Sequence, residues 1–409
     1  MRRIIVCTVL ILLLLNLTGC KNSFLPKPKE INDLQLVQVI GVDKLTDDPN
    51  DCMVTIASKN LEAGGERESS GNMGGGTNQN PGSSKLKALV LTSRGKTIFD
   101  AVRNMQTHSS KSIFWGHAEY YLIGEEAAKD DINKYIDFLI RDHELRIESK
   151  VYIVKGTTAK DLIEKFNLSG FFILDKLDSL GQNISLLSNS EEMPIHRLIR
   201  FIDVHHASAR VPCIQLVNRD SESGKQIKDI DTCGYAIFNN YKLAGFIGTD
   251  ISRGVNLITN SVDTSVVTIK DKTGQDVSLE IINSDTKVVP YFNGDELEGI
   301  LLKTKVTSNI GEVQSQTNFT DEDSIKHMAS HQSEVLKNEM KSALEEVVKH
   351  RSDCLEICDR IRLSRPLKWY KIKDRWMQLF PSVPIDIQVE SSIQRTYDIR
   401  DPSGNKMKE

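Results

Sequence analysis

The sequence predicts an α+β protein with largely antiparallel sheets, and three patterns lead to this fold class. The first half alternates between strand-like and helix-like stretches, the middle is a series of short alternating strands, and the last quarter contains one long amphipathic helix. A chain of 409 residues is too long for a single hydrophobic core, so we expect two or three domains.

The first twenty residues predict a secretion signal that ends at a lipid attachment site. Two arginines precede an apolar run that is too short to cross the roughly 30 Å of a bilayer's hydrocarbon. Leu17-Thr18-Gly19-Cys20 then resembles the bacterial lipobox, in which the cysteine thiol receives a diacylglyceryl group. We expect residues 1–19 to be removed, Cys20 to carry the lipid and residues 20–30 to form an extended tether. The alternative is a chance cysteine after an ordinary signal or an anchor helix.

Composition restricts what the remaining chain can be. The sequence as a whole is 39% hydrophobic and 26% charged, as in soluble globular proteins. Its net charge of −4 argues against nucleic acid as a partner. Beyond Cys7 and Cys20 the cysteines are odd in number and match no disulfide or zinc spacing, so we expect most of them to be buried apolar residues. They are Cys52, Cys213, Cys233, Cys354 and Cys358.

The predicted N-terminal domain, residues 31–206, mixes strands with helices. Two strands form a hairpin about the turn at 47–51, and the polar insert at residues 63–84 is expected to be a disordered loop between strands of one sheet. The strands are expected at 36–43, 52–58, 86–92, 114–123 and 149–154. Helices are expected at 97–106, around 132–139, after Thr157 or Thr158, and on both sides of Pro194.

The predicted middle domain, residues 207–298, is mainly β. A two-residue turn at Asn239-Asn240 suits a hairpin because asparagine tolerates positive φ. Its strands are expected at 213–217, 231–238, 242–247, 265–270, 277–282 and 287–292.

The predicted C-terminal domain, residues 299–409, contains the longest helix of the chain. A strand at 299–308 precedes this helix, which spans about 321–349 behind a Thr320 or Asp321 cap and carries one apolar stripe. A tryptophan-bearing stretch at 367–380 and a strand at 385–393 complete the domain.

Histidine pairs are the candidate metal ligands, and the sequence weighs against each. His327 and His331 lie one helical turn apart, but no glutamate follows His327 as in the zincin pattern. His205-His206 and His196 lack carboxylate or cysteine partners at ligand spacing. We expect no metal and no cofactor.

One arrangement resembles an enzyme motif without meeting its requirements. Penicillin-recognising enzymes carry Ser-x-x-Lys and Lys-Thr-Gly, and the chain contains Ser93-Arg94-Gly95-Lys96 and Lys272-Thr273-Gly274. The second motif here falls in a polar turn instead of a central strand, and no Ser-Asp-Asn lies between the two. The sequence therefore predicts no catalytic residue.

Several motifs, in the right order over most of the mature chain, resemble the Ger(x)C family, the C-subunit lipoproteins of spore germinant receptors. After the lipobox they are EINDL at 30–34, VIGVD at 39–43, GKTIFDA at 95–101, FWGH at 114–117, FLIRD at 138–142, GYAIF at 234–238, KLAGF at 242–246, Arg253-Gly254, PLKW at 366–369 and the stretch 376–381.

The resemblance implies an α+β protein of three domains with no catalytic residues. It also implies a diacylglyceryl anchor in the outer leaflet of the cell membrane or spore inner membrane, with two multispanning partners, the A and B receptor subunits. The chain departs from the family pattern in its insert at 63–84 and in CLEICDR at 354–360.

A solute-binding lipoprotein of a transporter is the alternative function, because it would share the anchor and the outer face. Such proteins are typically two lobes of buried parallel strands around a cleft. The middle of this chain shows alternation and hairpins instead.

Replacing residues 63–84 with a short glycine-rich turn should leave stability nearly unchanged, because the composition of the insert buries almost nothing. Thermal unfolding of the two chains measures the effect. A fall in Tm of more than about 5 °C, which corresponds to ~1 kcal/mol or more, would show that the insert is packed.

Overall fold

Two sheets organise the fold in the computed structural model, which describes residues 30–45, 47–48, 51–59, 88–204, 208–220, 224, 226–314 and 321–396. These residues form an α+β fold, which confirms the predicted fold class. The predicted signal peptide, Cys20 with nearly all of the tether, the insert at 63–84 and His205-His206 lie outside the described residues.

The larger sheet has the strand order β10-β9-β8-β7-β6-β2-β3-β4. Its strands are β2 (Val39–Lys44), β3 (Cys52–Lys59), β4 (Ala88–Gly95), β6 (Tyr120–Gly124), β7 (Lys150–Lys155), β8 (Ala209–Asp220), β9 (Gln226–Asn239) and β10 (Lys242–Ile247). The central strands β2, β6, β7 and β8 run parallel, and the flanking strands are antiparallel to their neighbours. Two short strands, β1 (Leu34–Leu36) and β5 (Ser112–Phe114), pair beside it.

Helices cover both faces of this sheet, which explains why β6 is buried along its whole length and β7 is buried except at its two ends. Ile123 faces a core shared with α1 (Ile98–His108), α2 (Glu125–Asp130), α3 (Ile132–Arg141) and α6 (Ile195–Val204). Its neighbour Leu122 faces the opposite core, against α4 (Ala159–Asn167) and α5 (Ile173–Leu187). Successive residues of one strand thus serve two cores.

The second sheet has the order β11-β12-β13-β14 and carries the longest helix of the described chain. Its strands are β11 (Ser265–Lys270), β12 (Asp276–Asn293), β13 (Glu296–Val313) and β14 (Ile385–Thr396). The helix, α8 (Glu322–Lys349), begins at the predicted cap Asp321, whose Oδ1 accepts the Ser324 N–H at 2.9 Å. It packs across α7 (Thr249–Thr259), where a Cβ on Gly254 would lie 2.4 Å from the Glu339 carbonyl oxygen. Only glycine permits that approach.

Some strand and helix predictions were wrong in extent. The stretch 114–123 is two strands, β5 and β6, because the chain turns where the Ala118 N–H bonds the Trp115 carbonyl. Residues 277–282 and 287–292 belong to the single strand β12, and α7 was not predicted. The hairpin turn lies one residue later than predicted, since Asn240 and Tyr241 have φ of 51° and 68°.

The residues of the predicted middle domain contribute to both sheets. Strands β8, β9 and β10 extend the larger sheet, whereas β11 and β12 belong to the second one. Tyr235 and Ile237 of β9 belong to the same core as the second sheet and α8. The division into three domains at 206 and 298 stays a prediction.

Short helices between α8 and β14 pack against the core of the second sheet. They are α9 (Ile357–Ser364), α10 (Pro366–Ile372) and α11 (Trp376–Leu379), the last two joined by a 3₁₀ turn. Trp369, Trp376 and Phe380 pack on one another and on the core, with ring centroids 5.4 and 5.6 Å apart. The predicted tryptophan-bearing stretch is therefore a core element.

A buried carboxylate connects β2 to the start of α4. Thr158 caps α4 by accepting the Asp161 N–H, and Asp43 accepts the N–H groups of Ala159 and Lys160 at 2.7 and 2.9 Å. Asp43 is 2% exposed, and burial raises the pKa of its carboxyl to about 6 although both N–H bonds oppose the shift. The helix N-terminus is thus satisfied from a neighbouring strand.

Asp43→Asn should destabilise the protein most at acidic pH. Because the folded pKa of about 6 exceeds the ordinary aspartate pKa of 3.8, the contribution of Asp43 to stability is complete below pH ~4. It falls by about 3 kcal/mol as the pH rises through 6, whereas asparagine does not titrate. Urea unfolding of both chains between pH 4 and 7 measures the difference. If the loss of stability caused by Asp43→Asn instead grows as the pH rises, the two N–H bonds lower the pKa of Asp43 by more than burial raises it.

Candidate functional site

The most unusual polar group in the described chain is the guanidinium of Arg210 on β8, which is 0% exposed. Its Nε lies 2.7 Å from Oε1 of Glu191, in the loop between α5 and α6. Its other nitrogens donate to Oε1 of Glu356 at 3.0 Å and to the Cys354 carbonyl oxygen at 2.6 Å. Arg210 therefore joins the larger sheet to the segment that follows α8.

Two arginines of α6 complete what we call the ionic junction: Glu191, Arg197, Arg200, Arg210, Glu356 and Asp359. Arg197 lies 2.8 Å from Oε2 of Glu191 and 3.6 Å from Oε1 of Glu356. Arg200 lies 3.3 Å from Oδ2 of Asp359. With three cations and three carboxylates, the charges of the junction balance.

Electrostatics keeps Arg210 charged. Burial by itself lowers the pKa of a guanidinium, but the Glu191 and Glu356 carboxylates outweigh it and raise the pKa above its usual value. The Phe201 ring, whose centroid is 5.2 Å away, covers one side of the group. An arginine held in this way is a fixed connector, because its protonation cannot change at any physiological pH.

Buried hydrogen bonds hold the segment 350–358 in a conformation that places Glu356 in the ionic junction. Ser352 Oγ donates to the Phe238 carbonyl oxygen at 2.6 Å, which fixes the end of α8 to β9. Asp353 accepts the N–H groups of Ile357 and Cys358 and, at 2.9 Å, the Trp376 indole N–H. Glu356 adopts φ of 61°, a strained conformation for a residue other than glycine. The CLEICDR stretch, where the chain departs from the family pattern, is thus built around buried polar partners.

The candidate metal-ligand histidines that the structure describes lie on two helices, His327 and His331 on α8 and His196 on α6. His327 and His331 have ring centroids 6.2 Å apart on α8, and His331 Nδ1 lies 2.9 Å from the Lys270 carbonyl oxygen. His196, at the start of α6, lies 3.3 Å from a Glu148 carboxylate oxygen. Within the described ranges, no three His, Cys, Asp or Glu side chains are grouped to hold a metal ion.

The two halves of the enzyme-like motif lie in different sheets. Ser93 belongs to β4, the edge strand of the larger sheet, and the Lys96 backbone N–H donates to Asp100 beyond it. Thr273 lies in the turn between β11 and β12, where its N–H and hydroxyl bond Asp271. The turn predicted from the sequence at Lys272-Thr273-Gly274 is observed.

The cysteines are buried, as expected, and one pair is bonded. Cys213 and Cys233 form a disulfide between the adjacent strands β8 and β9, which the spacing did not predict. Burial raises the pKa of the Cys52 thiol to about 11 and that of Cys354 to about 12. Thiols with such pKa values carry almost no thiolate at neutral pH and are poor nucleophiles.

The clefts that open to solvent in the described part of the chain include two that adjoin its helices. One, of about 910 Å³, lies between α1 and α3 and is lined by Phe99, Phe138 and charged side chains. The other, of about 520 Å³, is polar and lies beside α5, where Lys150 and Glu192 form an ion pair.

Each helix in the part of the chain that the structure describes is too short or too polar to traverse a bilayer.

Two protein-family models match the chain and together span nearly all of the described residues. The model described as "Spore germination protein N-terminal domain" matches residues 27–216, and "Spore germination B3/ GerAC like, C-terminal" matches residues 233–397. The chain belongs to the Ger(x)C family of spore germination proteins. This confirms the resemblance seen in its motifs. The two matches meet inside the larger sheet, between β8 and β9.

Relatives of this family member align over nearly their whole length. Spore germination protein KC of Bacillus subtilis (strain 168) is 23% identical over 100% of this chain and 99% of its own length. Spore germination protein B3 of the same organism is 22% identical over 94% of this chain and 96% of its own length. The chain is therefore similar to these proteins from end to end.

A solved structure shares the fold. The crystal structure of the GerBC protein aligns with a TM-score of 0.50 and 17% identity, over 87% of this chain and 96% of the other. The family is that of the germinant receptor C subunits, and the fold agrees with it.

Sequence reasoning missed the ionic junction. Its members are spread over residues 191–359, and each looks like an ordinary surface charge. The available signal was Arg210 itself, directly before the apolar run of a predicted strand, where a buried charge requires a partner. Nothing in the sequence identifies Glu191 and Glu356 as those partners.

Arg210→Met should destabilise the fold by roughly 3–5 kcal/mol, because it removes the fully buried cation from the Glu191 and Glu356 carboxylates. The other arginines that contact these carboxylates, Arg197 and Arg200, are 31% and 58% exposed. Arg219→Met is the matched control, since Arg219 also contacts two carboxylates but is 52% exposed, and it should cost about 1 kcal/mol or less. Urea unfolding measures both. Equal costs for the two variants would show that the ionic junction does not hold the sheets together.

Proposed function

We propose that the chain is the lipid-anchored, non-catalytic C subunit of a spore germinant receptor, and that it acts by contact with the membrane-spanning A and B subunits. The observation that carries the proposal is the family match over both halves of the chain, at 27–216 and 233–397. The alignment with spore germination protein KC covers 100% of this chain, so the similarity extends over the whole protein and is not limited to one domain.

The anchor is proposed to be Cys20, which follows Leu17-Thr18-Gly19. The first described element begins at Ile31, so about ten extended residues, or ~30 Å, would separate the lipid from the folded body. A diacylglyceryl group holds a protein on a bilayer stably because each buried CH₂ contributes about 0.8 kcal/mol. The body would lie on the outer face of the cell membrane or spore inner membrane.

The absence of catalysis is proposed from the chemistry of the described side chains. The thiols have pKa values raised by burial, and the serine and lysine of the enzyme-like motif are separated from its Lys-Thr-Gly partner by their placement in different sheets. Arg210, which is fully buried, lies 2.7 Å from Glu191 and donates to Glu356 and to the Cys354 carbonyl oxygen. These groups support a protein that acts through its surface.

The lipid would act by confinement. Tethering two partners to one membrane raises their effective concentration, so weak contacts between them form often. A solute-binding lipoprotein would instead need two parallel-stranded lobes around a cleft, whereas β11, β12 and β13 here are antiparallel.

Spores that carry Cys20→Ala should respond poorly to germinant, because the unlipidated protein leaves the membrane and its contacts rarely form. Radiolabelled fatty acid tests lipidation, and loss of spore refractility after exposure to germinant tests the response. Cys7→Ala is the matched control, since the leader that contains Cys7 is expected to be removed.

The variant must also be shown to be secreted and folded. If the Cys20→Ala protein still incorporates the label, the attachment site is wrong. If it is secreted, folded and unlipidated and germination proceeds at the wild-type rate, proximity is not what the lipid supplies.

A further inference from the structure

The outer face of α9 and α10 exposes large apolar side chains that the fold leaves uncovered. Leu363, Leu367 and Tyr370 are 71%, 84% and 71% exposed, and they rank among the five most exposed large apolar residues of the described chain. They lie within eight consecutive residues, which distinguishes them from singly scattered apolar residues. We call this face, with the cations around it, the C-terminal helical surface.

The exposure follows from the helix itself. Trp369 and Ile372 of α10 point into the core, at 8% and 0% exposed. Leu367 and Tyr370, three residues apart, share the opposite face. The helix is thus apolar on both sides, which is the pattern of a helix that lies between a protein body and a second apolar phase.

Positive charge surrounds the apolar side chains. Between residues 360 and 375 the sequence has seven Arg or Lys residues and one acid, Asp374, in a chain whose acids outnumber its bases. Asp359 pairs with Arg362, and Asp295 pairs with Lys368 and Lys371. Arg360 turns inward to the Thr286 carbonyl oxygen.

The remaining cations are available to a partner. Among the described residues, Arg365, Lys373 and Arg375 have no carboxylate partner, and the Lys373 ammonium lies 4.4 Å from the Tyr370 ring centroid. Long cationic side chains beside exposed leucine and tyrosine can place their stems against acyl chains and their charges among headgroups.

We propose that the C-terminal helical surface rests on an anionic lipid bilayer, with Leu363, Leu367 and Tyr370 at the boundary between headgroups and acyl chains. The charge complementarity selects this occupant, since each Lys or Arg near an anionic membrane strengthens its attachment about fivefold. The proposal rests on the proposed function, because the lipid on Cys20 would bring the bilayer within reach. It adds a second contact that would orient the body on the membrane.

The test places an environment-sensitive fluorophore on the surface of the full-length, processed chain. Leu367→Cys is labelled, and Leu168→Cys, a leucine that is 73% exposed just beyond α4, is the matched control. The native Cys52, Cys354 and Cys358 thiols are buried and do not compete for the label. The chains are reconstituted in vesicles of phosphatidylcholine alone or of phosphatidylcholine with phosphatidylglycerol, and lipid-attached quenchers report contact.

In the anionic vesicles, the fluorescence emission of the label at 367 should shift to the blue and be quenched by the lipid-attached quenchers. The emission of the label at 168 should be the same in the neutral and the anionic vesicles. Arg365→Gln, Lys373→Gln and Arg375→Gln together should weaken the contact about a hundredfold and abolish the difference between vesicles. A label at 367 that stays in water in both vesicles overturns the proposal. So does a label that leaves water only when the membrane-spanning receptor subunits are added, because the surface would then contact protein.

Flotation separates this proposal from the anchor. A chain that fails to float with neutral vesicles contradicts the lipid on Cys20, whereas the contrast between labels 367 and 168 in anionic vesicles still tests the C-terminal helical surface. If both labels respond equally to phosphatidylglycerol, the attraction is general and the proposed surface is wrong.

Discussion

The buried guanidinium of Arg210 is the constraint on which the arrangement of the two sheets depends. A charge without solvent is costly unless carboxylates and hydrogen-bond acceptors surround it, and here they come from the loop after α5 and from the segment after α8. If either segment moved away, the buried guanidinium would lose one of its two carboxylate partners. The strained backbone of Glu356 is held in place by the same requirement.

This constraint makes the two family-defined halves of the chain structurally interdependent. The N-terminal family match ends in β8 and the C-terminal match begins in β9, yet the two strands are neighbours joined by the Cys213–Cys233 disulfide. Ser352 ties the end of α8 to β9, and Tyr235 extends the second core into the larger sheet. Packing of this kind favours two halves that move together over independently moving lobes.

A body of this kind suits the role proposed for it. That role requires only its outer faces, and it makes no use of the buried Cys354 thiol or of Arg210, which is paired with Glu191. The tether on Cys20 would limit how far the body can move from the membrane, and the C-terminal helical surface would limit how it can turn. A subunit held at two points would present a defined face to the multispanning subunits beside it, which a single tether cannot achieve.

The sequence by itself determined the α+β class, the family, most strand and helix positions and a cap at Thr320 or Asp321, because these depend on local periodicity and side-chain chemistry. It also supplied the expectation of a lipid on Cys20. Only the tertiary structure decided that β8 to β10 join the N-terminal sheet, that Cys213 meets Cys233, and that Glu191 and Glu356 meet at Arg210. The side-chain contacts among these join residues 19 to 146 positions apart, and nothing local specifies which distant carboxylate a buried arginine will find.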